Sequence, residues 1–366
     1  RGGGARAARE AGLSAMSLPW RHPPAVNLAL QGGGAHGAFT WGVLDALLED
    51  GRLRFDGVSG TSAGAMNAVL LAQGLMNGGV DGARAALRAF WTAVAAKAPF
   101  EVAVPTADGK DMRLAPGMRL MLQWTHYFSP EQLNPFDLNP LRDILSAQVD
   151  FERLRAHSPV KLFVAATNVN TGKLRLFRAP ELTPDAVLAS ACLPTMHRSV
   201  VIDGEPYWDG GYAANPAVFP LFHECSARDI LLVMLAPLKH SATPQSAADI
   251  KSRMMELAFN ATFLREMRMF AHLRERAARS AWWRRGELDR RLAGTHFHVI
   301  EASEVMRELS AESGRSVSCP LCPRPTRPPR PLWLLPPQPL ARRPFPMIQV
   351  QWGMGSTCQP LMSAPP

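Results

Sequence analysis

Hydrophobic residues along this chain follow two kinds of pattern. Short apolar runs predict buried strands at 25–30, 55–59, 161–168, 174–178, 229–234 and 296–301. Longer stretches with apolar residues three or four positions apart predict helices at 38–49, 63–75, 80–96, 184–191 and 245–285. Strands that alternate with helices in this way are typical of a layered α/β/α fold with a mostly parallel central sheet.

The first predicted strand leads into a glycine-rich loop and then into a helix. The loop extends from Gln31 to Gly37 and reads Gln-Gly-Gly-Gly-Ala-His-Gly. Consecutive glycines leave backbone N–H groups uncovered, and the following helix adds positive potential, so such a loop can hold an anion. In acyl transfer that anion is the oxygen of the attacked carbonyl. We therefore predict an oxyanion hole formed by Gly32, Gly33, Gly34 and Gly37.

The second predicted strand ends in a motif of serine hydrolases. Residues from Gly60 to Gly64 read Gly-Thr-Ser-Ala-Gly, which fits the Gly-x-Ser-x-Gly nucleophile elbow. At such an elbow the strand turns sharply into a helix, and the flanking glycines, Gly60 and Gly64, remove the Cβ atoms that would clash. Ser62 is therefore the candidate nucleophile.

The glycine loop also fits a different function. Residues 32–37 satisfy the Gly-x-Gly-x-x-Gly fingerprint of dinucleotide sites, for which Asp56 offers a carboxylate on the next strand. A nucleotide site needs no serine elbow at the second strand-to-helix turn, whereas an acyl hydrolase does. The presence of Ser62 within its elbow therefore favours the hydrolase.

A third element follows two short predicted strands at 200–202 and 207–208. Asp203-Gly204 fits the hairpin turn between them, and Asp209 stands at the end of the second strand. The two residues after it, Gly210 and Gly211, permit a tight turn and a close approach by another segment. Asp209 is therefore the candidate catalytic carboxylate.

These three elements, in this order, resemble the patatin-like phospholipase family. The sequence motifs typical of this family are a Gly-Gly-Gly-x-x-Gly loop, a Gly-x-Ser-x-Gly elbow and an Asp-Gly-Gly segment. Further stretches at 163–168, 189–194 and 215–216 look like the bacterial branch of the family, and the likeness spans residues 26–311. Where many members carry Arg or Lys in the loop, this chain has His36, which alters the positive charge beside the predicted oxyanion hole.

The resemblance implies a Ser-Asp dyad without histidine. Ser62 would be the nucleophile and Asp209 the general base, acting on carboxylic esters of lipids as a phospholipase A or lysophospholipase does, with no metal and no organic cofactor. A carboxylate with an ordinary pKa near 3.9 is a weak base, so the dyad requires burial that raises the pKa of Asp209. Its apolar sequence neighbours, which can lower the local dielectric, are Tyr207, Trp208 and Tyr212.

Two alternatives stay open from the sequence. One is a Ser-His-Asp α/β-hydrolase, although its elbow normally comes deeper in the strand order than here. Its candidate bases are His223, His240, His272, His296 and His298. The other is a catalytically inactive module that binds lipid or nucleotide through the glycine loop.

Charge and composition divide the chain into three parts. The formal net charge is +9, but residues 1–24 contribute +3 and residues 314–366 contribute +6, so residues 25–313 are neutral. This balance argues against nucleic-acid binding by the core. We predict a hydrolase domain at 25–313, a disordered leader at 1–24 and a disordered Pro/Arg-rich tail at 314–366 that contains fourteen prolines.

Cysteine usage and apolar segments bear on the compartment. The five cysteines suggest no disulfide framework, and Cys319 and Cys322 lack a second ligand pair at zinc-finger spacing, so a reducing, cytoplasmic environment fits. The helix predicted at 245–285 is amphipathic and basic and ends near Trp282, which allows either peripheral membrane contact or a plain cover for the sheet. The stretch 99–140 is either a lid or acyl-chain wall, or a helical insertion.

Overall fold

Ser62 directly follows one strand of a large sheet, and Asp209 is the last residue of another strand of the same sheet. A computed structural model describes residues 23–97, 103–105, 112–114, 129–236, 243–279 and 286–302. The strands in these residues are Ala25–Leu30 (β1), Arg54–Thr61 (β2), Ala103–Pro105 (β3), Met112–Leu114 (β4), Lys161–Asn168 (β5), Leu174–Arg178 (β6), Val200–Ile202 (β7), Glu205–Asp209 (β8), Asp229–Met234 (β9) and His296–Glu301 (β10).

Helices connect and cover these strands. The α-helices in the described residues are Gly37–Asp50 (α1), Ala63–Ala96 (α2), Pro130–Leu133 (α3), Pro140–Gln148 (α4), Phe151–His157 (α5), Pro184–Ser190 (α6), Phe219–Glu224 (α7), Ala247–Arg279 (α8) and Glu287–Ala293 (α9). Single turns of 3-10 helix lie at Gly34–His36, Ala179–Glu181 and Gly210–Tyr212.

The central sheet is mostly parallel. Its successive hydrogen-bonded partners are β10, β9, β1, β2, β5, β8 and β7, and β6 also pairs with β5. The first five of these strands are parallel to one another, whereas β6, β7 and β8 run antiparallel to their neighbours. The carboxyl ends of the parallel strands therefore meet at one edge of the sheet, and ligand sites in such sheets lie at that edge.

Both faces of the sheet are covered, because side chains alternate along each strand. Leu28 and Leu30 of β1 pack into a core with α1, α2 and α4 to α6. Ala29, between them, belongs to a second core with α7, α8 and α9. The molecule therefore has three layers, with a helical layer on each face of the sheet.

The register at β5 determines how the site is assembled. Val164 pairs with both Gly60 of β2 and Phe177 of β6, so β2 and β6 lie on opposite edges of β5. Thr167 pairs with both β6 and β8, so β8 lies on the same edge as β2. The last β2 pair is Thr61 with Ala165, and the next residue of β5, Ala166, pairs with Asp209. Along this edge of β5, pairing with β8 therefore begins where pairing with β2 ends, which is where the chain turns at Ser62.

The predicted fold class is confirmed, and most predicted elements lie where expected. Strands at 25–30, 161–168, 174–178, 229–234 and 296–301 have the predicted bounds, and β2 is longer than the predicted 55–59. The helices predicted at 63–75 and 80–96 form α2, with non-helical backbone at Gly78 and Gly79 between them. The hairpin turn predicted at Asp203-Gly204 joins β7 to β8, with φ of 52° and 81° at its two residues.

Several sequence predictions fall outside the described residues. These are the tail at 314–366, nearly all of the leader at 1–24, the segment around Trp282, and most of the stretch 99–140. The division into three parts therefore stays a prediction. Within the described part of the chain, no helix combines the length and the apolar character needed to cross a bilayer.

Candidate active site

Ser62 lies at a sharp turn between β2 and α2. Its backbone has φ 55° and ψ −123°, a left-handed conformation that L-residues rarely adopt. Space at the turn explains the flanking glycines. A Cβ on Gly60 would lie 2.4 Å from the Gly64 carbonyl oxygen, and a Cβ on Gly64 would lie 2.2 Å from the Leu30 carbonyl oxygen. Only glycine fits at either position, as the elbow motif predicts.

A second serine holds the elbow in place. The Ser62 N–H donates to the Ser190 Oγ at 2.9 Å, and Ser190 is fully buried at the end of α6. The sequence analysis did not assign Ser190 a function. The only signal was its place in the stretch 189–194 that resembles the family, because 128 residues separate the two serines.

The Ser62 hydroxyl lies close enough to the Asp209 carboxylate to lower the pKa of that carboxylate. Asp209 is 1% exposed. Burial raises the pKa of Asp209 to about 6, although the hydrogen bond from the Gly211 N–H and the nearby Ser62 hydroxyl act in the opposite direction. The carboxylate is therefore charged at neutral pH, but it is a stronger base than an exposed aspartate.

The backbone around Asp209 fixes its position. Its N–H donates to the Cys192 carbonyl at 2.8 Å, and its carbonyl accepts from the Thr167 hydroxyl at 2.8 Å. The Gly211 N–H donates to Asp209 Oδ1 at 2.7 Å. The two glycines are required by close contacts, because a Cβ on Gly210 would lie 2.1 Å from the Ala165 carbonyl oxygen and one on Gly211 would meet the Phe259 ring at 2.1 Å.

The surroundings of Asp209 differ in part from those expected. Burial, together with the nearby Asp209 charge, raises the pKa of the Cys192 thiol to about 12. Burial and Asp209 likewise raise the pKa of Tyr212, one of the expected neighbours. Tyr207, another expected neighbour, packs edge-on against Phe177, with ring centroids 5.7 Å apart. Cys192 was not among the neighbours expected from the sequence.

The glycine loop lies directly against the nucleophile. A Cβ on Gly32 would lie 2.7 Å from the Ser62 Cβ, so this glycine allows the contact. The Gly32 N–H donates to Asn215 Oδ1 at 2.7 Å, and the Gly37 N–H bonds the carbonyls of the preceding 3-10 turn. Gly33 and Gly34 are exposed beside them. Of the four predicted loop glycines, Gly32 and Gly37 therefore have hydrogen-bonded N–H groups, whereas Gly33 and Gly34 are exposed to solvent.

Buried amide side chains position this loop. Gln31 Oε1 accepts the N–H groups of Leu235 and Ala236 at 2.6 and 2.9 Å. Gln31 Nε2 donates to Asn260 Oδ1 at 2.8 Å and to the Asn215 carbonyl at 3.4 Å. Buried amides that satisfy several partners hold a loop in one conformation. The sequence analysis gave these side chains no role, although Gln31 begins the predicted loop and Asn215 lies in a stretch that resembles the family.

Asn67 supports the other end of the loop. Its Nδ2 donates to the carbonyls of Gly37 and Ala63 at 2.9 and 3.1 Å. Its Oδ1 accepts from Trp91 Nε1 at 3.0 Å. His36, at the end of the 3-10 turn, is exposed.

Two residues proposed for the alternative functions, Asp56 and His298, lie away from Ser62. Asp56 is near the beginning of β2, where its carboxylate accepts the N–H groups of Ser226 and Ala227 at 2.5 and 2.8 Å. It therefore stabilises a turn and does not lie at the carboxyl edge, where a ribose would bind. His298 Nε2 contacts Asp229 Oδ1 at 2.8 Å, and Asp229 is the first residue of β9. This pair belongs to the opposite edge of the sheet from Ser62. His240 lies outside the described residues.

Together, the described residues form a strained serine, a buried carboxylate beside it, and an adjacent loop with exposed backbone at glycine. Such a constellation is suited to nucleophilic attack on a carbonyl. No group of three or more His, Cys, Asp or Glu side chains that could hold a metal ion occurs in the described parts of the chain. The expected absence of a cofactor stays a prediction.

Known proteins resemble this chain to different degrees. A family model described as patatin-like phospholipase matches residues 28–222, which is more than half of the chain. No curated protein matches the sequence.

Among solved structures, VipD from Legionella pneumophila has 16% identity and a TM-score of 0.36, over 80% of this chain and 65% of its own. The ExoU-SpcU complex from the type III secretion system of Pseudomonas aeruginosa has 21% identity and a TM-score of 0.30, over 66% and 51%. The chain thus spans less than two thirds of each of these structures. TM-scores this low do not by themselves establish a shared fold.

Proposed function

This chain belongs to the patatin-like phospholipase family, and on that premise we propose that it is a serine acyl hydrolase that cleaves carboxylic esters of lipids through Ser62 and Asp209. The substrate class comprises phospholipids and lysophospholipids. The observation that carries the proposal is the position of the buried Asp209 carboxylate beside the Ser62 hydroxyl, which follows from the pairing of the ends of β2 and β8 with adjacent residues of β5.

In the proposed acylation step, Asp209 accepts the Ser62 proton while Ser62 Oγ attacks the ester carbonyl carbon. The carbonyl π electrons move onto its oxygen, and the backbone N–H groups of Gly33 and Gly34 stabilise that charge. One well-placed donor of this kind lowers the barrier by roughly 3 kcal/mol. The intermediate then expels the alcohol or lysolipid, which takes the proton from Asp209, and acyl-Ser62 remains.

In the proposed deacylation step, water takes the place of the leaving group. Asp209 accepts a proton from the water as its oxygen attacks the acyl carbon, and the same loop binds the second oxyanion. Ser62 leaves with the proton held by Asp209, and the fatty acid is released. The fixed positions of both residues replace a bimolecular encounter with an oriented one.

The positioning residues support this mechanism. Ser190 binds the Ser62 N–H, and Asn215 binds the Gly32 N–H, so both sides of the reacting centre are held by buried side chains. Their preorganised hydrogen bonds require no rearrangement during the reaction.

The first test is labelling by a fluorophosphonate probe, which reacts with activated serines. We expect the wild type to be labelled and Ser62→Ala to be unlabelled. Asp209→Asn should also lose labelling, because a neutral amide does not accept the Ser62 proton. Ser226→Ala, at an exposed turn away from the site, is the matched serine control and should label like the wild type.

Circular dichroism of each variant separates loss of activity from loss of folding. If a folded wild type is not labelled, the hydrolase proposal is wrong, and an inactive binding module becomes the better description. Strong labelling of folded Asp209→Asn would remove Asp209 from the mechanism.

A further inference from the structure

Helix α8 carries large apolar side chains on two opposite faces. On one face, Phe263, Met267 and Phe270 are buried in the core beneath the sheet. On the other, Met254 is 65% exposed, Leu257 is 49% exposed and Met269 is 59% exposed. A helix that covers a sheet in water normally has a polar outer face. The exposed apolar side chains therefore exceed what packing requires.

Basic residues are interspersed among these apolar side chains. Arg265 and Arg268 are exposed on the outer face, at helical spacings from Leu257 and Leu264 that place them along the same side. Over its whole length the helix has seven basic and four acidic residues. The exposed face is thus both apolar and cationic.

Each acidic side chain described on α8 has a partner, either an arginine of the same helix or the backbone at the start of α7. Glu256 pairs with Arg253 at 2.6 Å, and Glu275 pairs with Arg279 at 2.5 Å. Glu266 faces inward, where it accepts the N–H groups of Val218 and Phe219 at the start of α7. These acids therefore do little to offset the charge of Arg265 and Arg268.

The same helix touches both halves of the active site. The Phe259 ring lies against Gly211 and stacks near Tyr212, with ring centroids 4.8 Å apart. Asn260 accepts the hydrogen bond from Gln31, next to the glycine loop. Met254 and Leu257 precede these two residues in the same helix, on a different side of it. The helix that carries the exposed face therefore also contacts the catalytic centre.

We propose that the outer face of α8 docks on a lipid surface that carries anionic headgroups, with Met254, Leu257 and Met269 entering the interface and Arg265 and Arg268 binding the headgroups. This inference deepens the proposed function, since lipid esters are held in such surfaces. Anionic lipid is the occupant that the charge favours, because a second copy would bring like charges together.

The test is co-sedimentation with phosphatidylcholine vesicles that contain or lack phosphatidylserine. The charge variant is Arg265→Ser/Arg268→Ser, and we expect it to bind phosphatidylserine vesicles about twentyfold more weakly than the wild type. The apolar variant is Met254→Ser/Leu257→Ser, for which we expect about tenfold weaker binding to vesicles that contain phosphatidylserine.

A matched control lies on the opposite face of the sheet. Val80 is 43% exposed and Arg88 is exposed, both on α2. The control Val80→Ser/Arg88→Ser makes the same kinds of change and should bind vesicles within about twofold of the wild type.

Hydrolysis of a short, water-soluble ester separates this proposal from the proposed function. All three double variants should hydrolyse it like the wild type, because none changes a catalytic group. Vesicle binding that depends on α8 in a protein without esterase activity would support the docking face while removing the function. Esterase activity with vesicle binding unchanged in both α8 variants would overturn the docking face. A wild-type dimer that Met254→Ser/Leu257→Ser converts to monomer would also overturn it, by assigning the face to a second copy.

Discussion

At the scale of single residues, both members of the proposed dyad occupy unfavourable states that their neighbours maintain. Ser62 has positive φ, a conformation that costs about 1–3 kcal/mol for residues other than glycine. Asp209 is a buried carboxylate whose charged form is poorly solvated, which raises its pKa to about 6. Ser190 Oγ accepts a hydrogen bond from the Ser62 N–H, and the Gly211 N–H donates one to Asp209 Oδ1. These two hydrogen bonds help to hold Ser62 and Asp209 in place. The proposed mechanism therefore depends on both the backbone strain at Ser62 and the raised pKa of Asp209.

The raised pKa of Asp209 predicts the acid limit of activity. The proposed base must be charged to accept a proton, so kcat/KM should be high above the pKa and fall as pH decreases through about 6. An exposed aspartate would give the same fall about two units lower. The measurement is kcat/KM for a soluble ester from about pH 4 to about pH 9, with folding monitored by circular dichroism. A level profile down to about pH 4 in folded protein would contradict the assignment of Asp209 as base.

At the scale of elements, the site depends on how closely the turns after β1 and β2 approach each other. The start of α2 lies against the end of β1, as the contact between Gly64 and the Leu30 carbonyl shows. The glycine loop after β1 touches Ser62 in the same way through Gly32. Because backbone lies on both sides of these contacts, no side-chain movement can relieve an added methyl group.

A pair of glycine substitutions tests this packing. Gly64→Ala should destabilise the fold by about 3 kcal/mol or prevent folding, because its Cβ would overlap the Leu30 carbonyl. The matched control is Gly42→Ala on α1, where a Cβ meets no atom within 4 Å, and we expect stabilisation by about 0.5–1 kcal/mol. Urea unfolding followed by circular dichroism measures both. Equal stability of Gly64→Ala and the wild type would show that the turn is looser than the structure indicates.

At the scale of the whole molecule, the two edges of the sheet are chemically different. The carboxyl edge holds Ser62 and the glycine loop, together with Asp209, which arrives on an antiparallel strand. The opposite edge holds the pair of His298 and Asp229, which is roughly 20 Å away along the strands. A histidine at that edge does not reach Ser62. The sheet topology therefore separates the proposed dyad from the His298–Asp229 pair.

Replacement of His298 tests this separation. His298→Ala should leave kcat/KM for a soluble ester within about twofold of the wild type, because a proton relay needs direct hydrogen-bond contact. Stability should fall by about 1 kcal/mol, since the hydrogen bond to Asp229 is lost. Ester hydrolysis and urea unfolding measure the two effects. Loss of hydrolysis in a folded variant would revive the Ser-His-Asp alternative.

The sequence by itself determined the strands, the main helices and the three motifs. Strand bounds such as 161–168 and 229–234 follow from runs of apolar residues, because burial on both faces of a parallel strand leaves few polar positions between its ends. The glycines at 60, 64, 210 and 211 were recognisable from their motifs. In the structure, a Cβ at each of these positions would overlap a neighbouring atom. These signals are local, so a single chain contains them.

Only the tertiary structure decided which distant residues meet. The register that places Asp209 beside the end of β2 depends on pairing through β5, and no local pattern encodes it. The same holds for Ser190 and Asn215, which contact the elbow and the loop from more than a hundred residues away. The pKa of Asp209 belongs here too, since desolvation is a property of the packed environment and not of the residue.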